Sequence, residues 1–331
     1  MDITIFIRTF NEAALIGRCL ESIFSQQIEQ SYEIIVLDSH SLDNTVEIAK
    51  EYPVTIYQIP KELFHFSSSL NFGVSKATGR FFVSLSAHAI PLDHSWLSEL
   101  IAPLLKHEEV TLSYSCQIPW PECCELERES IYKAFPNEPH KFTYHDLASI
   151  QNNSVLPYDL INCSNVSACY RREWLVTHPF KSLPFSEDRL AALEIVKNRK
   201  GVVYSPGSIV YHSHRPDYAA FRKIARTATI ARWLINQEVL GKDVIHKPSA
   251  LTALFYGIKV PAYTVLLSLL LPWYLLRAKQ GWKLRSASYL LSSLGTTLGK
   301  KEGIDRLRRA AREPLSLASC DRLIKEAVKV N

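Results

Sequence analysis

The sequence predicts an α/β fold, a Rossmann-like, mostly parallel sheet flanked by helices. Three observations predict it. Apolar strand-like runs alternate with segments of helical spacing from Ile3 to Leu85, and polar clusters follow those runs. The chain also has 331 residues of which 47% are hydrophobic, enough for one large domain plus an appendage, or for two domains.

Ile3-Thr4-Ile5-Phe6-Ile7 reads as the first strand. Behind the cap-like Asn11-Glu12, residues Leu15, Ile16, Cys19, Leu20, Ile23 and Phe24 recur at helical spacing. Glu33 to Leu37 is the next strand and Asp43 to Tyr52 a second short helix. Val54 to Tyr57 and Phe81 to Leu85 then bracket a helical stretch from about Ser67 to Ala77. Strands separated by helices pair in parallel through crossovers, and ligands of such sheets sit at the carboxyl ends of the strands. Arg8-Thr9-Phe10-Asn11, Asp38-Ser39-His40-Ser41 and Ser86-Ala87-His88 are therefore expected to converge on one crevice.

Several classes are disfavoured. No Gly-x-Gly-x-x-Gly follows the first strand and no Gly-x-x-x-x-Gly-Lys occurs, which argues against dinucleotide and P-loop sites. The seven cysteines are scattered, only Cys123-Cys124 being adjacent, so neither a zinc site nor a disulfide framework is expected and a reducing cytosol fits. Met1 leads straight into a strand pattern without a signal-peptide h-region, so secretion by that route is not expected.

The formal charge of +5 is unevenly placed. Lys279, Lys283, Arg285, Lys300, Lys301, Arg306, Arg308, Arg309 and Arg312 follow the uncharged run Val260 to Leu276. That run is at the short limit for a bilayer span, and Pro261 and Pro272 would bend or end a helix, so a buried core helix competes. Its aromatic ends Tyr263, Trp273 and Tyr274 and the flanking cations favour a helix in, on or across an anionic membrane face. A nucleic-acid partner is not expected, since only Trp282 and Tyr289 interleave the cations.

Asp38 and Asp43, in LDSHSLDNT, are acceptors suited to a base N–H or a ribose hydroxyl. Asp43 precedes a helix and reads as a cap; Asp38 ends a strand and reads as a ligand contact.

Taken in order, Thr9-Phe10-Asn11-Glu12, GRCLESIFSQ, EIIVLDSHSLDNT and LNFGVSKATGRFFVSLSAHAIP resemble the nucleotide-sugar-binding half of family 2 glycosyltransferases with the GT-A fold. INCSNVSACYRREW, PFSEDRLAALEIVKNRKGVVYSPGSIVYHSH and Phe221-Arg222 resemble the acceptor half, so the resemblance spans roughly residues 3 to 225. FHFSSSLNFG and VYHSHRPDYAAFR are most similar to bacterial rhamnosyltransferase-type members that build surface polysaccharides. The implied layout is a nucleotide-sugar-binding half over 1–95, an acceptor and catalytic half over 96–235, and a helical, membrane-associating extension over 236–331.

The resemblance implies transfer of a sugar from a nucleoside diphosphate donor to a hydroxyl of a glycan or lipid-linked acceptor, with inversion, on the cytoplasmic face of the membrane. It places nucleotide-sugar contacts at Thr9, Glu12, Asp38, Asn71, Ser86 and His88. For Asn71, and for Gly73 and Gly79 beside it, a capped helix and its terminating turn is the alternative. The general base falls on Asp188, with Glu187 in support; their alternative is favourable helix-terminal charge. A non-catalytic nucleotide-sugar-binding scaffold is the competing reading, opposed by retention of Ser186-Glu187-Asp188.

One departure stands out. The family's strand end usually reads Asp-x-Asp, whose last aspartate holds Mg²⁺ or Mn²⁺; here the positions are Ser86 and His88. His88 and His212 are then candidate ligands for Mn²⁺, with Mg²⁺ less suited to imidazole. Alternatively, His212, His214, Arg215 and Arg171 neutralise the leaving diphosphate without a metal.

Overall fold

The computed structural model describes residues 1–138, 140–143, 161–183, 185–214, 218–240, 296–302, 304 and 328–330. These form two compact units. One comprises Met1–Ile118, Ala134–His212 and the C-terminal stretch from Leu317; the other comprises Pro119–Lys133 and Ser213–Ser316.

The first unit opens with β1 (Ile3–Thr9), α1 (Ile16–Phe24), β2 (Tyr32–Asp38), α2 (Thr45–Lys50) and β3 (Thr55–Gln58). A 3₁₀ turn (Lys61–Leu63), α3 (Phe66–Lys76) and β4 (Phe81–Ser86) follow; the expected strands and helices all lie within two residues of their expected boundaries, α2 being shorter by two at each end. β1 reads as a continuous apolar run because helices cover both faces of a parallel sheet: Ile3, Ile5, Phe6 and Ile7 are all fully buried. Asn11-Glu12 does not cap α1. Asn11 is left-handed (φ 53°), its carboxamide oxygen accepts from the Leu42 N–H, and the helix begins after Leu15.

The chain continues through β5 (Ile90–Pro91), α4 (Trp96–Lys106) and β6 (Val110–Ile118), then α5 (Glu125–Ala134), which lies mostly in the second unit. β7 (His140–Phe142), β8 (Ser167–Arg171), α6 (Arg172–Thr177), α7 (Glu187–Lys197) and β9 (Gly201–Tyr211) complete the first unit's main body. Among the described residues the strand order is β10-β3-β2-β1-β4-β8-β6-β9-β5, β10 being Val328–Val330, with β7 against β9.

Pairing is parallel through β3-β2-β1-β4, as expected, but mixed beyond. The cause is β8, which enters between β4 and β6 running antiparallel to both. Its first residues, not its last, therefore lie beside the carboxyl end of β4: Ser167 faces Leu85, whereas Arg171 faces Phe81. At the far edge β5 pairs antiparallel with the end of β9, Ile90 against Tyr211, which delivers His212 to the neighbourhood of His88.

Gly73 and Gly79 are required by packing. A Cβ at Gly73 would lie 2.6 Å from the Phe6 ring, and one at Gly79 would lie 2.5 Å from the Ile3 and Thr4 backbone. α3 and the turn into β4 thus press directly on β1.

The second unit holds α5 and α8 (Tyr218–Leu240), with Arg222 ion-paired to Glu302. No helix of the described residues is long and apolar enough to cross a membrane. The run Val260 to Leu276 and most of the cation cluster lie outside the described residues.

Candidate active site

Strand register sets the floor of the site. Arg8 pairs with Ser86 and Thr9 with Asp38, so the ends of β1, β2 and β4 lie side by side. Over them opens a cleft of about 300 Å³ lined by Arg8, Thr9, Phe10, Glu12, Ser39, Lys61, Phe64, Phe66, Ser86 and His88. A second cleft of about 620 Å³ shares Phe10 and Lys61 with it and adds His40, Leu42, Gln58, Ile59, Pro60 and Glu62. Both are in the size range of ligand sites. Their shared wall is a cation–π contact, Lys61 Nζ lying 4.0 Å from the Phe10 ring centroid.

Four of the residues expected to grip the donor line the first cleft: Thr9, Glu12, Ser86 and His88. Asp38 does not. It is fully buried and spent locally, Oδ2 accepting from the Ser41 N–H (3.0 Å) and Gln58 Nε2 (2.9 Å) while Oδ1 accepts from the Ser41 hydroxyl. Asp38 instead folds the loop after β2 and holds Gln58, which lines the second cleft. Asp43 accepts from the Thr45 N–H at the start of α2 and from the Ala13 N–H, in line with its capping role. Asn71 is also spent: Nδ2 donates to the Phe180 carbonyl (3.0 Å) and Oδ1 accepts from the Phe180 N–H (2.9 Å). It clamps α3 to the segment after α6.

His88 and His212 come together. Glu12 Oε1 lies 2.7 Å from His88 Nδ1, Gln117 Oε1 lies 2.9 Å from His212 Nδ1, and the two Nε2 atoms face each other at 3.2 Å. The rings stack with centroids 5.1 Å apart. With an oxygen acceptor on each Nδ1, both Nδ1 atoms donate and both Nε2 atoms are turned toward one point. Gln117 was not legible as a partner in the sequence, since it lies in β6, remote from every motif.

Arg171 must be withdrawn from the diphosphate set. It closes β8 at the end of the sheet opposite the cleft, donating to the backbone carbonyls of Val110 (2.8 Å), Leu104 (2.7 Å) and His107 (3.0 Å). It ties α4 to β6. His214 belongs to the second unit, where its N–H donates to Glu127 Oε1 at 2.9 Å. Arg215 lies outside the described residues.

The acid pair opens α7 behind Ser186, which is held left-handed at φ 67°. Asn165, just before β8, organises it. Asp188 Oδ2 accepts from the Asn165 N–H (3.0 Å), Glu187 Oε1 from Asn165 Nδ2 (3.2 Å), and Asn165 Oδ1 accepts from the Tyr170 hydroxyl (2.7 Å). Glu187 is buried, 5% exposed, whereas Asp188 reaches the surface. Burial, then the charge of Asp188, pushes Glu187 up to about 7, against Arg8 and Asn165. Burial also raises Asp188, against the Asn165 N–H and Arg189.

These directions have a measurable sign. A carboxyl raised in the folded state keeps its proton where the unfolded chain has lost it, so stability falls as pH climbs from about 4.3 through about 7. Glu187→Gln is expected to flatten that fall in a melting series from acid to neutral pH. It should also remove the inflection near pH 7 from the transfer-rate profile, because the charge that Glu187 places beside Asp188 as it ionises there is gone. Melting and rate profiles superimposable on wild type would show that the two carboxyls do not titrate together.

The fold and the site define a GT-A-like enzyme class. The description glycosyl transferase family 2 matches residues 4–177, and the chain belongs to that family. Among known proteins, a mannosyltransferase of Pyrobaculum calidifontis in complex with GDP-Man and Mn²⁺ superimposes with a TM-score of 0.58 at 17% identity, covering 92% of this chain and 87% of that one. S. aureus TarS in complex with UDP-GlcNAc gives 0.52 at 16% identity, covering 93% and 92%. A dolichyl N-acetyl-α-D-glucosaminyl phosphate 3-β-D-2,3-diacetamido-2,3-dideoxy-β-D-glucuronosyltransferase of Methanococcus voltae is 36% identical over 99 residues, or 27% of this chain and 30% of its own length.

Proposed function

We propose that the chain is an inverting glycosyltransferase that moves a sugar from a nucleoside diphosphate to a hydroxyl of a glycan or lipid-linked acceptor. The observation that carries this reading is the meeting, at the carboxyl end of one sheet, of a ligand-sized cleft and a raised acid pair whose field reaches Arg8 in the cleft wall. Asp188 takes the proton of the acceptor hydroxyl as that oxygen attacks the anomeric carbon. The bond from that carbon to the diphosphate breaks on the opposite face, and the diphosphate leaves with the electron pair. Asn165 orients both carboxyls, and Glu187 sets the charge beside the base.

Two imidazole Nε2 atoms 3.2 Å apart fit a divalent cation, being close to the roughly 3 Å edge of an octahedron with bonds of about 2.1 Å. His88 and His212 would hold Mn²⁺, with Glu12 and Gln117 fixing their tautomers, and the bound ion would supply charge neutralisation of the departing diphosphate.

Rhamnose is the first donor sugar to test, on the strength of FHFSSSLNFG and VYHSHRPDYAAFR. The lipid-linked option follows the archaeal relative, whose name contains a dolichyl sugar phosphate. Val260 to Leu276 and the cations after it would hold the enzyme to the cytoplasmic membrane face. The reading is tested by titrating purified protein with UDP-, GDP- and dTDP-sugars in Mn²⁺ and in EDTA, scoring binding and slow donor hydrolysis. Binding of one donor class, with hydrolysis, is expected; no binding of any nucleotide sugar would overturn it.

A further inference from the structure

We propose that Arg8 is a phosphate-binding residue, its guanidinium taking an oxyanion of the donor's diphosphate in the cleft. This rests on the donor reading above and gives a role to Arg8, which the end of the first strand brings to the crevice without one.

Two arginines on strands of the described sheet stand in contrast. Arg171 is satisfied by three backbone carbonyls and lines no cleft described here. Arg8 is its opposite. Its Nε and Nη1 are shielded from solvent yet have no hydrogen-bond partner among the described residues, and the side chain lines the cleft. The adjacent Thr9 Oγ1, also in the cleft wall, is shielded and unpartnered too. A guanidinium is a donor on every nitrogen and accepts nothing, so donors left without a partner at a ligand-sized opening call for an oxygen from the ligand.

The surroundings select an anion. Arg8 stacks over the Phe66 ring at 5.5 Å, which fixes the guanidinium without occupying its N–H groups. Glu187 and Asp188 support its charge against burial but make no hydrogen bond with it. Lys61 adds a second cation to the same cleft. Strand register then places Arg8 beside Ser86, the first position of the strand end where the family keeps its Asp-x-Asp. A cation built into β1 compensates for a strand end that has lost both carboxylates.

The test is calorimetric titration of the full chain and of Arg8→Gln and Arg8→Lys with UDP, GDP and dTDP, each against its parent nucleoside, in Mn²⁺ and in EDTA. For the diphosphate that wild type binds, Arg8→Gln is expected to weaken affinity at least about tenfold while the nucleoside is unaffected. Arg8→Lys should recover only part, because a point charge replaces a planar fork. Should Arg8→Gln fail to fold by melting, the lysine variant is read in the same way. Diphosphate affinity equal to wild type in the folded variant would overturn the proposal, and a shifted pH profile alone would make Arg8 merely the counter-ion of the acid pair. If wild type itself binds none of the diphosphates, the donor reading falls first.

Discussion

Asp188→Asn is expected to lower sugar transfer by about 10²- to 10⁴-fold while leaving folding and donor affinity near wild type. The substitution keeps the shape of the side chain and one oxygen to accept from the Asn165 or Arg189 N–H, while its amide nitrogen faces the other N–H, a local cost of about 1 to 3 kcal/mol that leaves the fold intact. What it removes is a carboxylate that reaches the surface in a site where burial has already raised its proton affinity. A base must both be ionised and hold its proton strongly, and the two carboxyls divide that burden. The buried Glu187, pushed up to about 7, supplies a neighbouring charge that rises through neutral pH, while the Asn165 and Arg189 N–H groups oppose the rise that burial imposes on Asp188. Single-turnover transfer with a donor in excess isolates the step. Turnover of Asp188→Asn at the wild-type rate would remove Asp188 from the mechanism, and a Glu187 variant that loses activity in its place would exchange the two roles.

Much of this arrangement could be read from the chain, and the unread part has a consistent cause. The first four strands and three helices follow from alternation of apolar runs, because each parallel strand is buried on both faces and each helix on one. The mixed half was not legible. Nothing in Ser167 to Arg171 says which way the strand runs, and its direction alone decides whether Asn165 or Arg171 lies toward the carboxyl end of β4. Arg171 therefore looked like a phosphate ligand in sequence and is a backbone clamp in space. Arg8 shows the opposite: the end of the first strand brings it to the expected crevice with no role assigned, and only the missing hydrogen-bond partner marks it as a binding residue. Asn71 shows a third case, in which a family-like position is occupied by a residue whose amide nitrogen and oxygen both engage the Phe180 backbone. Positions set by register and motif spacing were legible; partners set by strand direction or by three-dimensional closure were not.

His88→Ala is expected to abolish Mn²⁺-stimulated transfer, whereas His88→Asp should retain activity and extend it to Mg²⁺. The argument starts from Glu12, which lies 2.7 Å from His88 Nδ1, and from Gln117, which fixes His212 Nδ1 at 2.9 Å. Both Nε2 atoms are thereby committed to the same point 3.2 Å apart. An ion bound there would take both Nε2 atoms as ligands in place of the contact that joins them. Imidazole suits Mn²⁺ better than Mg²⁺, while a carboxylate oxygen at position 88 would suit the harder ion and restore the family's usual strand end. Glu12→Gln leaves the ligands in place but weakens their orientation, so a loss of about 10- to 100-fold in metal affinity is expected for it. Mn²⁺ and Mg²⁺ titrations of wild type, His88→Ala, His88→Asp and His212→Ala after EDTA treatment supply the measurement. If His88→Ala and His212→Ala respond to Mn²⁺ as wild type does, the imidazole pair holds no ion. If wild type keeps full activity in EDTA while both alanine variants lose it, the two imidazoles themselves, together with Arg8, meet the departing diphosphate.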